Sequence, residues 1–119
     1  MNFDGLKCTL ENRRGPILTD FLIFLDQLSL VVNDKKNAMF FTNFQCPSNQ
    51  DIKLIEHSYD SQIPFFIEST NGQHDIYCYD FEDEAYPKIA IFSDHSFVNK
   101  WDSVSDFLTW LDRMASTKR

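Results

Sequence analysis

Between residues 75 and 84 stand Asp75, Asp80, Glu82, Asp83 and Glu84, with no lysine or arginine among them. Carboxylates this dense can pair with the lysines and arginines of a partner, and arginine–carboxylate forks are geometrically specific and strengthen on desolvation. They can also hold a hard divalent cation or simply keep a turn hydrated. The segment lacks the glycine that a helix–loop–helix calcium loop needs at its sixth position, so neither a metal nor any other cofactor is expected. Tyr77, Tyr79 and Phe81 alternate with these acids at the two-residue spacing of a strand. Aromatic area of this kind usually fills a core. Tyrosine beside carboxylates also suits an interface. The partner-binding set expected from the sequence is therefore Asp75, Tyr77, Tyr79, Asp80, Glu82, Asp83 and Glu84, with Asp94 further on.

Two doublets, His74-Asp75 and Asp94-His95, invite an acid–base reading, because a carboxylate can orient an imidazole. Adjacent strand residues point to opposite faces, however, and no nucleophile elbow, P-loop or His-x-x-x-His pair accompanies them. Catalysis is not expected. A small hydrolase using Asp94 and His95 is the weaker alternative. Cys8, Cys46 and Cys78 are odd in number and widely spaced, without a Cys-x-x-Cys pair. They read as reduced, mostly buried thiols, with no disulfide framework and no structural zinc.

The 119 residues carry a formal net charge of −7. Residues 1–59 hold seven acids and six bases, residues 60–119 eleven acids and five bases, so the second half makes nearly all of the negative field. Nucleic acid is a poor partner for such a chain, since phosphate binding needs clustered cations, and Arg13-Arg14 and Lys35-Lys36 are too short to supply them. A basic protein fits better. Asp20 and Asp26 interrupt the most apolar stretch, 17–32, so no membrane span is expected. The amino terminus lacks the basic and apolar regions of a secretory signal, which points to the cytoplasm.

The elements that would position these residues can be read from periodicity. Leu18, Phe21, Leu22, Leu25 and Leu28 recur at helical steps after Pro16, with Thr19 as the expected cap. Residues 30–32 and 39–44 flank a polar stretch and predict a hairpin. Residues 45–51 read as a loop and 52–57 as a short strand. A strand at 63–67 enters a turn at Asn71-Gly72, followed by strands at 74–81 and 88–92. Ser103 with Asp106 opens a final helix whose stripe is Val104, Phe107, Leu108 and Leu111, with Arg113, Lys118 and Arg119 toward its negative end. Trp101 and Trp110 are expected to pack around it. The fold class is α+β: one domain over 1–119, with a single antiparallel meander sheet and an N-terminal and a C-terminal helix packed against it. One sheet face would then be free for display.

The order of motifs over residues 63–111 resembles the Smi1/Knr4 family, or SUKH superfamily. Ile63-Pro64-Phe65 is followed by Gly72, then by Tyr77-Cys78-Tyr79-Asp80, Pro87, Ile89 to Phe92 and Asp94-His95. The helix opening Ser103-Val104-Ser105-Asp106-Phe107-Leu108 is close to that family's Ser-Phe-x-x-Phe-Leu ending. Residues 1–50 diverge: Ile17 to Leu25 resembles the family's opening helix, but Thr19 stands where proline is usual and no glycine follows. The resemblance implies a non-enzymatic protein-binding domain. Many bacterial members are immunity proteins that neutralise a cognate toxin, often one acting on nucleic acid, in the producing cell's cytoplasm. A regulatory adaptor of the Smi1/Knr4 type is the alternative. Oligomeric state is not legible.

Overall fold

The computed structural model describes residues 1–117, Ser58 and Asn99 by their backbone alone. Lys118 and Arg119, expected beside the end of the last helix, lie outside the described residues. The element order is α1 (Asp4–Arg14), α2 (Thr19–Val32), two 3-10 turns (Lys35–Asn37 and Phe40–Asn43), β1 (Phe44–Gln45), α3 (Asn49–Ser58), β2 (Gln62–Thr70), β3 (Gln73–Asp80), β4 (Lys88–Ser93), β5 (Ser96–Trp101) and α4 (Val104–Thr117). The strands form one five-stranded antiparallel sheet in sequence order β1-β2-β3-β4-β5. This is an α+β fold with a meander sheet, as the sequence predicts. The chain divides into two compact units, one holding Met1–Thr42 and the chain from Leu108, the other Asn43–Phe107.

In the first unit, α2 buries Phe21, Phe24, Leu25, Leu28 and Val32 at three- and four-residue steps. Thr19 is its first helical residue; Leu18 occupies the cap position and supplies no side-chain bond. The predicted hairpin over 30–44 does not form. Val32 extends the buried stripe of α2, so Leu30, Val31 and Val32 are the helix's last turn. The buried amide of Asn37 then donates to the Val31 carbonyl at 2.8 Å and covers an acceptor that the helix end leaves open. Lys7 on α1 and Asp26 on α2 stand 3.7 Å apart.

In the second unit, the strand expected at 52–57 is the helix α3. Ser48 and Asp51 form a reciprocal capping box, and Ile52 and Ile55 fall on one buried face. β2 and β3 are joined by the two residues Asn71 and Gly72 (φ 50° and 81°), β4 and β5 by Asp94 and His95 (φ 49° and 67°). Positive φ at both central residues matches the right-handed twist of a tight hairpin. The register slips by one residue between Pro64 and Phe66, which accommodates a proline that cannot donate to the ladder.

Both sheet faces are covered where β3 crosses the middle, and Ile76 through Asp80 are all buried. On one face Ile55 of α3 packs with Ile67, Ile76, Cys78 and Phe92. On the other, Tyr77 lies among Phe44, Phe66, Trp101 and Phe107 at ring separations of 5.8–6.2 Å. The open display face expected from the sequence is therefore not present along this stretch. Among the described residues, no helix is long and apolar enough to cross a membrane.

Candidate functional site

The acidic set singled out in the sequence divides into four different environments. Tyr77 and Tyr79 are each only 2% exposed, so neither can anchor a docked partner. They are core residues: strand alternation puts them on the face that Phe107 covers, and large aromatic area is buried there before it is displayed. The Tyr77 hydroxyl donates to Glu68 Oε1 at 2.9 Å. Burial, and then the negative charges of Glu68 and Asp75, push its ionisation far above the ordinary tyrosine range. Asp75 stands directly opposite Glu68 across the β2–β3 ladder and is half-buried.

Asp80 is also removed from the surface, at 4% exposure. Its Oδ1 accepts the Glu82 amide at 3.0 Å and its Oδ2 lies 3.5 Å from Lys100 Nζ. It is a structural carboxylate that ends β3 and sets the path of the following loop, not a partner contact as expected.

Glu82, Asp83 and Glu84 are exposed in that β3–β4 loop. The loop is held by its own bonds: Asp83 Oδ1 accepts the Ala85 amide at 3.1 Å, and the Asp83 carbonyl accepts the Tyr86 amide at 3.1 Å. Tyr86 is thereby presented 72% exposed next to three carboxylates. Sequence reasoning missed Tyr86 because it followed the alternating stripe. The available signal was an aromatic in a polar turn just ahead of Pro87, where no strand periodicity accounts for it.

Asp94 is elsewhere again. β4 pairs Lys88 with Asp80 at the loop end and Phe92 with Ile76 at the other, so Asp94 and Glu82–Glu84 flank opposite ends of one strand. At the Asp94 end a cleft of about 470 Å³ opens between α3, β1 and the β4–β5 turn. Ile76 and Phe92 are its buried apolar residues; Leu54, Asp51, Gln50 and Ser48 come from α3 and its cap, and Gln45 from β1. His74, Asp94 and His95 complete it. His74 Nδ1 is within 3.0 Å of Ser69 Oγ. The doublet Asp94-His95 thus lies in one concavity, while His74 and Asp75 part to opposite faces of β3. His57 is exposed on α3 away from the cleft.

Among the described residues, no group of three or more His, Cys, Asp or Glu side chains is arranged to hold a metal ion. Cys8 is exposed, Cys46 intermediate and Cys78 buried, so the mostly buried thiols of the sequence reading reduce to one fully buried. Burial pushes the Cys46 thiol up. Compared with protein-family models, with curated proteins and with solved structures, the chain shows no match.

Proposed function

We propose that the chain is a protein-binding domain that takes a basic partner at the β3–β4 loop. The observation that carries this reading is Tyr86, an exposed aromatic held beside Glu82, Asp83 and Glu84 on a loop tied by three hydrogen bonds. A loop already ordered loses little freedom on docking. Tyrosine is enriched among the residues that dominate interface energy. Carboxylates around it speed the approach of a cationic surface and penalise an anionic one. The resemblance of residues 63–111 to the Smi1/Knr4 family supports a specific form of the proposal: a cytoplasmic immunity protein that neutralises a toxin acting on nucleic acid. Such a toxin needs cations to hold phosphate, and carboxylates placed on those cations would occlude its substrate. A regulatory adaptor would use the same loop on several partners.

The test is co-expression with the protein encoded beside it, capture, and association kinetics at two salt concentrations. Reversing the loop by Glu82→Lys, Asp83→Lys and Glu84→Lys together should slow association about tenfold at low salt while the circular dichroism spectrum is kept. Tyr86→Ala should raise Kd by about thirtyfold. Association of the triple variant at the wild-type rate in low salt would overturn the proposal. The hydrolase alternative has one observation in its favour, the meeting of His74, Asp94 and His95 in the cleft. The hydroxyl lining that cleft, Ser48 Oγ, is engaged with Asp51 at 2.7 Å as the helix cap, so water would have to be the nucleophile. A substrate screen in which turnover disappears with His95→Ala would establish that alternative.

A further inference from the structure

We infer that the cleft at the Asp94 end of the sheet is a receptor for one alkylguanidinium or alkylammonium group. Its volume, about 470 Å³, is in the range of small-ligand sites. Its chemistry is two-part. Ile76 and Phe92 are 4% and 6% exposed and offer apolar surface at depth, and Leu54, 43% exposed, adds an apolar wall. A methylene stem buries well against such surface while its charged head stays at the wet rim. The rim carries the carboxylates of Asp51 and Asp94, and among the described residues neither lysine nor arginine lines the cleft.

The positive-φ turn sets the backbone at Asp94, whose carboxylate is exposed at the rim, and the Asp51 carboxylate is held by Ser48, whose amide and hydroxyl both donate to Oδ2, at 2.9 and 2.7 Å. That leaves Asp51 Oδ1 for a cation. An anion is disfavoured in the same place. The amino-terminal end of α3 opens here, but the Asp51 carboxylate already closes that end in the capping box. His74 adds an imidazole whose Nδ1 is occupied by Ser69, leaving Nε2 toward other partners. The site is separate from the β3–β4 loop, at the other end of β4, and stands whether or not that loop binds a protein.

The probe is Nα-acetyl-arginine amide, titrated into the isotopically labelled full chain and followed by NMR. Saturable millimolar shifts should be confined to the amides of Ile76, Phe92 and Asp94 and the imidazoles of His74 and His95. Nα-acetyl-citrulline amide, the neutral isostere, should bind at least fivefold more weakly, as should arginine amide to Asp94→Asn. Asparagine tolerates the left-handed backbone, so that variant keeps its turn. Free L-arginine and an acetyl-Gly-Arg-Gly-amide peptide separate the two sources of such a group: preference for the peptide identifies a basic side chain of a protein, preference for the amino acid a free small molecule. The triple lysine variant of the loop should leave the titration intact. Equal binding of the citrulline probe, indifference of Asp94→Asn, or saturable shifts of the same residues by acetate would overturn the inference.

Discussion

Tyr77 separates a core role from an interface role most sharply. It is 2% exposed, with ring centroids of Phe44, Phe65, Phe66, Trp101 and Phe107 between 5.8 and 6.5 Å away. Tyr77→Ala removes the ring from a packed site, and truncations of this kind cost about 3–5 kcal/mol. Against a total stability of about 5–15 kcal/mol, that is a large fraction of what holds a domain folded. Tyr77→Phe keeps the ring and deletes one hydrogen bond, donated to Glu68 Oε1 at 2.9 Å. Bonds to charged acceptors contribute about 1.5–3 kcal/mol, and because Glu68 is half-buried and can regain water, the low end, about 1.5–2 kcal/mol, applies.

The assay is urea unfolding followed by Trp101 fluorescence in a Trp110→Phe background, since Trp101 stacks on the Tyr77 ring at 6.2 Å. With a slope of about 1–3 kcal/mol per molar urea, Tyr77→Phe should lower the midpoint by roughly 0.5–1 M. pH gives a second measurement of the same contact. The folded state holds the Tyr77 proton well above the ordinary range, through burial first and then the charge of Glu68. A raised folded pKa contributes stability that is complete below the unfolded pKa of about 10 and is lost progressively as pH rises beyond it. Above that point the wild type should lose up to about 1.4 kcal/mol more per pH unit than Tyr77→Phe. A Tyr77→Ala cost under about 1 kcal/mol, or identical alkaline slopes for wild type and Tyr77→Phe, would refute the burial argument.

Two further outcomes follow from the same geometry. Asp75→Asn should stabilise the second unit by about 0.5–1 kcal/mol, because it removes a like-charge pair with Glu68 directly across the ladder, and urea midpoints check it. Thiol labelling in the native state should run Cys8 first, Cys46 more slowly because burial raises its pKa, and Cys78 only on unfolding, as read by mass spectrometry over time.

Legibility in the sequence followed the strength of local patterns. The strands around Asn71-Gly72 and the Ser103–Asp106 helix start carry turn and cap chemistry that specifies the backbone directly, and both elements were legible. The capping box at Ser48 and Asp51 has the same form, yet Pro47 and the polar residues around it read as loop and the short run 52–57 as strand. A box ahead of Ile52 and Ile55 outweighs a run of that length. β5 is not legible locally, because Asp94-His95 offers a carboxylate beside an imidazole, while positive φ at both residues makes it first a hairpin turn. Leu30-Val31-Val32 looked β-branched in isolation, but position 32 completes the four-residue step from Leu28, and burial along α2 overrides propensity. No local signal could show that Asp94, His95, His74 and Asp51 share a cleft, since that depends on the register of β3 against β4 and on α3 lying beside them.

The negative charge of the second half is therefore not one surface. Asp80 is buried, pairs with Lys100 and shapes the loop, and Asp75 is half-buried opposite Glu68, beside a buried hydroxyl. At both positions removing a carboxylate changes stability before it changes binding. Of the carboxylates weighed as partner contacts, Glu82, Asp83 and Glu84 are exposed at one end of β4 and Asp94 at the other. Summed charge sets the far field that draws a cation in. Affinity is decided at contact, by the carboxylates that the fold leaves exposed and by the apolar surface beside them. That distinction makes the two ends independently testable. Charge reversal in the loop should act on the rate of encounter, and Asp94→Asn should act on the residence of a single basic group.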